Sequence, residues 1–258
     1  MTETEKKVFA RSSVLTQEIT HYCPGCGHGI AHRLVAEVIE HYGIRGRTVG
    51  VSPVGCAVMA HKYLDIDMIE AAHGRAPAVA TGIKRARPEL AVFTYQGDGD
   101  LASIGTAEII HAANRGENIT VIFINNAVYG MTGGQMAPTT VLGQRTVTTP
   151  AGRSAANEGG PLRVCELLAT LDGPSYIARV TIDKPAAVRK AKQAITIAFG
   201  RQLQGKGFSL VEVLSPCPTY WRMPPAEAMA SIGNWLVKDF PLGVFKDKEA
   251  ASGETAKA

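Results

Sequence analysis

Residues 90–132 read LAVFTYQGDGDLASIGTAEIIHAANRGENITVIFINNAVYGMT, two short apolar runs that each break off at a polar cluster. The first run, 90–95, has the length and composition of a strand and stops at Gly97-Asp98-Gly99-Asp100; the second, 119–124, stops at Asn125-Asn126. Between them Ile104, Ala107, Ile110 or His111, and Asn114 recur at helical spacing, and Gly116 is a helix stop. The stretch is therefore a strand–helix–strand unit, whose crossover makes the two strands parallel and near neighbours. The fold class that follows is α/β, a mostly parallel sheet with helices on both faces.

In such a unit Asp98 and Asn126 emerge at the same carboxyl-terminal edge of the sheet, where ligands bind. A carboxylate and an amide oxygen side by side, followed by the backbone carbonyl of Val128, supply the hard oxygens that Mg²⁺ prefers, and Mg²⁺ completes its shell with phosphates and water. Gly97 and Gly99 keep side chains away, so that backbone N–H groups can approach a phosphate. Either cluster alone is ordinary turn chemistry. Both together, in register on adjacent strands, point to a cofactor site.

Composition narrows the rest. A chain of 258 residues, 45% of them hydrophobic, can bury the core of one large α/β domain, or at most two small ones. The net charge of +4, without a dense basic block, argues against nucleic acid. No apolar stretch approaches the ~20 residues of a membrane span, and residues 1–12 lack the apolar centre of a signal peptide, so a cytoplasmic protein is expected. Five cysteines in that setting argue for metal, catalysis or packing rather than disulfides. Cys23-Pro24-Gly25-Cys26 is the informative pair. On its own spacing it is half a zinc site, a redox dithiol or an accident.

Along the chain, residues 1–15 are expected to form a mobile arm, 16–245 a single domain and 246–258 a disordered tail. A helix over 27–42 has its apolar face at Ile30, Leu34, Val35, Val38 and Ile39; His28 at its start faces the cofactor, while His32 and His41 are expected on helix surfaces. A strand over 48–52 delivers Val54-Gly55-Cys56 to the same sheet edge, and His73-Gly74-Arg75 precedes a helix over 76–85. Residues 127–161 show no periodicity and many glycines, a long segment that reads as a lid. Strands over 175–181 and 208–214 flank a basic amphipathic helix over 185–204, with Val188, Ala191, Ile195, Ala198 and Phe199 on its apolar face. Cys165, in a helical run over 162–171, reads as a small buried apolar residue. Residues 220–245 are expected to pack on the domain or on a neighbouring subunit.

Gly-Asp-Gly, 25 intervening residues and Asn-Asn match the motif by which thiamine diphosphate enzymes hold Mg²⁺ on their cofactor. With CPGCGHG at 23–29, VGC at 54–56, HGRAPAVATGIK at 73–84, NNAVYGMTGGQMAPTT at 125–140 and SPCPT at 215–219, the chain resembles the β subunit of 2-oxoacid:ferredoxin oxidoreductases over residues 23–219. The resemblance implies the diphosphate-binding fold of thiamine enzymes, with Mg²⁺ on Asp98, Asn126 and the Val128 carbonyl. It places Gly55, Cys56, Ala57, His73, Gly74, Arg75, Gly97, Gly99, Asp100, Tyr129, Gly130, Met131 and Thr132 around thiamine diphosphate, and makes His28, His73 and Met131 the groups facing cofactor or substrate. Cys56 and Cys217 would join Cys23 and Cys26 as the thiolates of one 4Fe-4S cluster.

The implied activity is CoA-dependent oxidative decarboxylation of a 2-oxoacid, reversible, with electrons passed to ferredoxin. An α-type subunit would supply the pyrimidine-binding domain, and γ and ferredoxin-like δ subunits occur in the family. Two other readings compete. A non-redox thiamine enzyme has no use for four cysteines, and a non-catalytic metal scaffold has none for the Mg²⁺ motif. Gly133 stands where related chains often carry Lys, TGGQ here against TKGQ, so branched-chain 2-oxoacids, 2-oxoglutarate and aryl 2-oxoacids all stay open.

Overall fold

The computed structural model describes residues 9–250. Its centre is the pair of strands expected from the sequence, β3 (Ala91–Gly97) and β4 (Thr120–Asn125), parallel and in register from Phe93 opposite Thr120 to Gly97 opposite Ile124. Their residues are buried along nearly the whole length, which is why both read as continuous apolar runs.

Five more strands complete one sheet: β1 (Thr48–Ser52), β2 (Asp67–Glu70), β5 (Tyr176–Thr181), β6 (Ser209–Leu214) and β7 (Gly243–Asp247). The order is β2-β1-β3-β4-β6-β5-β7, all parallel except β7, which pairs antiparallel with β5. Helices cover both faces. α1 (His28–His41) and α6 (Pro185–Leu203) pack on one, where Leu34, Val35, Ile195 and Phe199 meet Phe93, Ile122 and Val211. α3 (Ala76–Ala86), α4 (Thr106–Asn114) and α5 (Val164–Ala169) pack on the other against Val92, Val121, Phe123 and Leu210. The short α2 (Ala60–Tyr63) lies between β1 and β2; α7 (Pro218–Trp221) and α8 (Pro225–Ser231) follow β6.

Several elements depart from expectation. Residues 1–8 of the arm lie outside the described residues, and the rest is docked: Val14 is buried, its carbonyl accepts from Asp65 N–H at 2.8 Å, and Ser13 donates to Glu40. In α4 the buried face is Ile109, Ala112 and Ala113, while Ile104 is exposed. A π-helical turn at Asp100–Ile104 precedes α4 and puts the helix out of phase with the spacing read from Ile104. His32 is buried rather than on the surface, inside a cluster with Tyr22, Tyr63 and Tyr95. The tail expected from residue 246 instead starts inside β7, where Arg201 of α6 pairs with Asp247 at 2.8 Å; residues 251–258 lie outside the described residues. The later segment packs as expected, Ile232, Leu236 and Phe240 forming a third core with Ala127, Val141 and Leu214.

Candidate functional site

Strand order sets the site. β1, β3, β4 and β6 are consecutive and parallel, so the loops that leave their carboxyl ends meet, carrying Cys56, Asp98, Asn126 and Cys217. One cleft there is lined by His28, Gly55, Cys56, Ala57, His73, Gly97, Asp98, Gly99, Asp100, Asn126, Val128, Tyr129, Gly130, Met131 and Thr132, together with Pro53 and Val54. Of the expected cofactor residues only Gly74 and Arg75 do not line it. Gly74, at φ +77°, lies so close to the backbone of Ile104 and Gly105 that a Cβ would sit 2.6 Å from Gly105 N. Arg75 is paired with Glu108 and donates to the Ile104 carbonyl at 3.2 Å.

Asp98 is the electrostatic centre of the cleft. It is 2% exposed and accepts from Gly99 N–H at 3.0 Å, Val128 N–H at 3.2 Å and the Thr139 hydroxyl at 2.8 Å. Burial pushes its carboxyl up to about 6 in spite of these donors; such a carboxylate is short of a positive partner. Asn126 Oδ1 faces the same Val128 N–H at 3.3 Å, so the two side-chain oxygens converge. Next to them nothing within 4 Å would meet a Cβ on Gly97, which leaves open space beside the carboxylate. Two hard oxygens and an open wall suit a divalent cation carrying a phosphate group.

Asp100 does a different job. Its Oδ1 accepts from His73 Nδ1 at 2.7 Å, Gly74 N–H at 2.9 Å and Val54 N–H at 3.1 Å, and its Oδ2 accepts from Gln96 at 2.7 Å. It therefore ties three loops together, and with Nδ1 on the carboxylate His73 keeps Nε2 free. His28 bonds Tyr95 through Nδ1 at 2.9 Å and stacks on Tyr22; burial, with His21 nearby, holds its ring neutral, the pKa lowered to about 3.

Two of the four cysteines expected together, Cys56 and Cys217, meet at Gly130. A Cβ on Gly130 would lie 3.0 Å from Cys56 Sγ and 3.8 Å from Cys217 Sγ, so one backbone position touches both sulfurs. Cys26 N–H donates to the Cys23 carbonyl at 3.0 Å, closing a turn in which Gly25 at φ +78° packs against Pro225 and Pro218, the latter beside Cys217. Burial pushes the Cys56 thiol up to about 11, with Cys26, Cys23 and Asp98 adding to it, and the Cys217 thiol up to about 12, with Cys26, Cys56 and Asp98 adding. Thiols raised in this way are protonated at neutral pH and would ionise only on a cationic centre. Among the described residues no three His, Cys, Asp or Glu side chains are placed to hold a single metal ion; four thiols around a larger iron–sulfur cluster remain compatible with the arrangement. Cys165 stands apart, fully buried, its thiol 3.7 Å from the Ala178 carbonyl.

Other contributors escaped the motif reading. Thr139 belongs to the MAPTT stretch, yet only the fold shows its hydroxyl on Asp98. The 127–161 segment is pinned. Arg153, 6% exposed, donates to the carbonyls of Ala137, Pro138, Thr140, Glu158, Gly159 and Gly160, while Thr140 and Gln144 donate to the Ala127 carbonyl. Trp221 Nε1 donates to the Asn126 carbonyl at 2.9 Å.

Comparison with known proteins agrees with this geometry. Residues 53–213 match the family of the thiamine pyrophosphate enzyme C-terminal TPP-binding domain, thiamine pyrophosphate being another name for thiamine diphosphate. The chain is 52% identical over 244 residues to ketoisovalerate oxidoreductase subunit VorA of Methanothermobacter marburgensis, covering 95% of this chain and 51% of that one. It is 41% identical over 210 residues to 2-oxoglutarate synthase subunit KorB of Archaeoglobus fulgidus, covering 81% and 74%. A solved structure of 2-oxoglutarate:ferredoxin oxidoreductase from Magnetococcus marinus, with 2-oxoglutarate, coenzyme A and succinyl-CoA bound, superposes with a TM-score of 0.72 at 30% identity, over 83% of this chain and 70% of that one. The chain spans about half the length of the ketoisovalerate oxidoreductase subunits it matches. Among the described residues no helix is long and apolar enough to cross a membrane.

Proposed function

The chain belongs to the 2-oxoacid:ferredoxin oxidoreductase subunits that carry a thiamine diphosphate-binding domain, and from that premise we propose that it binds both the Mg²⁺–thiamine diphosphate and the 4Fe-4S cluster of a CoA-dependent 2-oxoacid oxidoreductase. The observation that carries this reading is the meeting of two donor sets on one sheet edge, oxygens from Asp98 and Asn126 and sulfurs from Cys56 and Cys217, with Gly130 against both sulfurs.

When bound, thiamine diphosphate supplies an electron sink for decarboxylation and the cluster a one-electron acceptor. The chain's own part is binding and orientation. Asp98 and Asn126, with the Val128 carbonyl, hold the cation, and the bare wall at Gly97 admits the diphosphate. Cys23, Cys26, Cys56 and Cys217 hold the cluster. His28, kept neutral by burial, offers a hydrogen-bonding ring rather than a charge to the cleft, and His73 presents Nε2 from its anchor on Asp100. Val54 and Met131 are 40% and 55% exposed at the cleft, an apolar rim for a pyrimidine-binding α-type subunit to cover. Further γ and δ subunits, ferredoxin as acceptor and a cytoplasmic, anaerobic setting complete the proposal.

For substrate we favour a 2-oxoacid with an apolar branched chain. Gly133, at φ +121° beside Thr132 of the cleft, brings no cation to pair with a second carboxylate, and the VorA relatives are named for ketoisovalerate. The test is an anaerobic assay of the purified complex with CoA and a viologen against 2-oxoisovalerate, pyruvate, 2-oxoglutarate and an aryl pyruvate. CoA-dependent viologen reduction, fastest with 2-oxoisovalerate, is expected. Decarboxylation that needs neither CoA nor acceptor would place the chain in a non-redox thiamine enzyme instead.

A further inference from the structure

Arg179 of β5 and Glu212 of β6 form an ion pair, Nε to Oε2 at 2.8 Å, with both side chains fully buried. Desolvating two charges is costly, and such a pair is weak evidence for stability by itself. Its connections lead to the cleft. Arg179 is held by Glu166 at 2.5 and 2.9 Å, by the Pro241 carbonyl at 3.0 Å and by the rings of Phe240 and Phe245. The other oxygen of Glu212 accepts from Asn125 Nδ2 at 2.7 Å, and Asn125 Oδ1 accepts from Ala127 N–H at 3.1 Å. Ala127 has φ +59°, a left-handed conformation that an alanine adopts only when its surroundings hold it there. It lies between Asn126 and Val128.

The direction of each bond is forced. A carboxylate can only accept and an amide NH₂ can only donate, so Glu212 makes Asn125 turn its NH₂ inward and its oxygen toward Ala127 N–H. We propose that Glu212 is a positioning residue for the cation site: through Asn125 it holds the left-handed turn at Ala127 that aims the Asn126 oxygen and the Val128 peptide at Asp98. This rests on the reading that Asp98 and Asn126 hold the cation. Thr140 and Gln144 grip the Ala127 carbonyl from the other side, so the turn is fixed at both its N–H and its carbonyl.

The directionality supplies a rescue experiment. In Glu212→Gln the new oxygen must stay on Arg179, the new NH₂ faces Asn125, and the Asn125 amide flips so that its NH₂ meets Ala127 N–H. In Asn125→Asp two carboxylates face each other. The double variant Asn125→Asp with Glu212→Gln restores every bond, since the new amide donates to the new carboxylate, whose second oxygen accepts from Ala127; total charge is unchanged. Thiamine diphosphate affinity at saturating Mg²⁺ is measured in the purified complex well below its unfolding temperature, alongside the unfolding midpoint.

Each single variant should bind about tenfold more weakly, the size of one hydrogen bond to a charged partner (about 1.4 kcal/mol), and the double should return to within about threefold of the parent. Asn125→Ala, which leaves the Arg179–Glu212 pair intact, should weaken binding like the singles and decides the matter if those fail to accumulate. Parental affinity in Asn125→Ala, or a folded double variant as weak as either single, overturns the proposal. Asp98→Ala is the control: if it retains thiamine diphosphate, the cation-site reading itself has failed, separately from the role of Glu212.

Discussion

Replacing Asp98 by asparagine should make the metal-free protein more stable and unable to hold its cofactor. The carboxyl is buried, and moving it from 3.8 in the unfolded chain to about 6 in the folded one is worth about 3 kcal/mol. Between these values the folded state binds more protons than the unfolded state. The stability of the metal-free protein therefore falls as pH rises through the window from 3.8 to about 6, and above it the full penalty applies. Asparagine removes the charge but not the shape. Its oxygen can take the place of Oδ2, which accepts from Val128 and Thr139, while its NH₂ opposes Gly99 N–H, a loss of about 1 kcal/mol.

The balance is a variant about 2 kcal/mol more stable than the parent at pH 7.5, and about 1 kcal/mol less stable at pH 3.5, where the parent's carboxyl is already neutral. Urea unfolding of chelator-treated protein at the two pH values measures this reversal of sign. In the parent, Mg²⁺ needs the ionised carboxylate, so its affinity should fall about tenfold per pH unit below about 6. A stability difference of the same sign at both pH values would refute the argument that Asp98 is a buried charge waiting for a cation. So would full Mg²⁺-dependent thiamine diphosphate retention by Asp98→Asn.

Three further changes test other parts of the site. Arg153→Met removes the donor to six carbonyls and should cost about 3 kcal/mol or more while opening residues 137–160 to limited proteolysis; unchanged cleavage would mean that the loop is held by something else. Cys165→Ala should leave iron content and visible absorption unchanged at a stability cost of about 1 kcal/mol, and a loss of iron would show that the four cluster ligands are wrongly assigned. Gly130→Ala puts a methyl 3.0 Å from Cys56 Sγ, so iron content after aerobic handling should drop; parental iron content and potential would place the cluster away from Gly130.

The parts of this fold that could be read from sequence are those whose surroundings are uniform. Residues 91–97 and 120–125 are covered on both faces, so burial wrote itself as unbroken apolar runs, and the polar punctuation after each marked the sheet edge. β2 has the opposite character: Asp67–Glu70 is a four-residue edge strand exposed at most positions, without periodicity to detect. β7 was lost in a polar tail for the same reason. In α4 the periodicity was present but out of phase, because a π turn that no residue spacing announces sits at its start. At the site, Asp98 and Asn126 could be picked out because each follows a strand, whereas Cys56 and Cys217 entered only through the family resemblance. The structure gives the two aspartates different work: the oxygens of Asp98 converge with Asn126, while Asp100, two residues on, is consumed by loop contacts. Arg153 and Glu212 are single polar residues whose partners lie on other loops or strands, and only the folded arrangement reveals them.

One short segment explains how two chemistries can share the edge. Asn126 and Val128 face Asp98, the ring of Tyr129 occupies the place where a Cβ on Gly99 would lie, 2.3 Å from it, and Gly130 rests against Cys56 and Cys217. Five consecutive residues thus border both the oxygen set and the sulfur set. The segment cannot shift to favour one without disturbing the other: Tyr129 donates its N–H to the Gln135 carbonyl and accepts from Gly134 N–H, and Ala127 is held by Asn125, Thr140 and Gln144. On the proposed assignment, the separation between cofactor and cluster is set by this chain's backbone, and not by docking of a partner subunit. A partner that covers the cleft can then change access and water content while leaving that separation as it is. This is the condition for electron transfer from the cleft to depend on chemistry at the cofactor rather than on the movement of subunits.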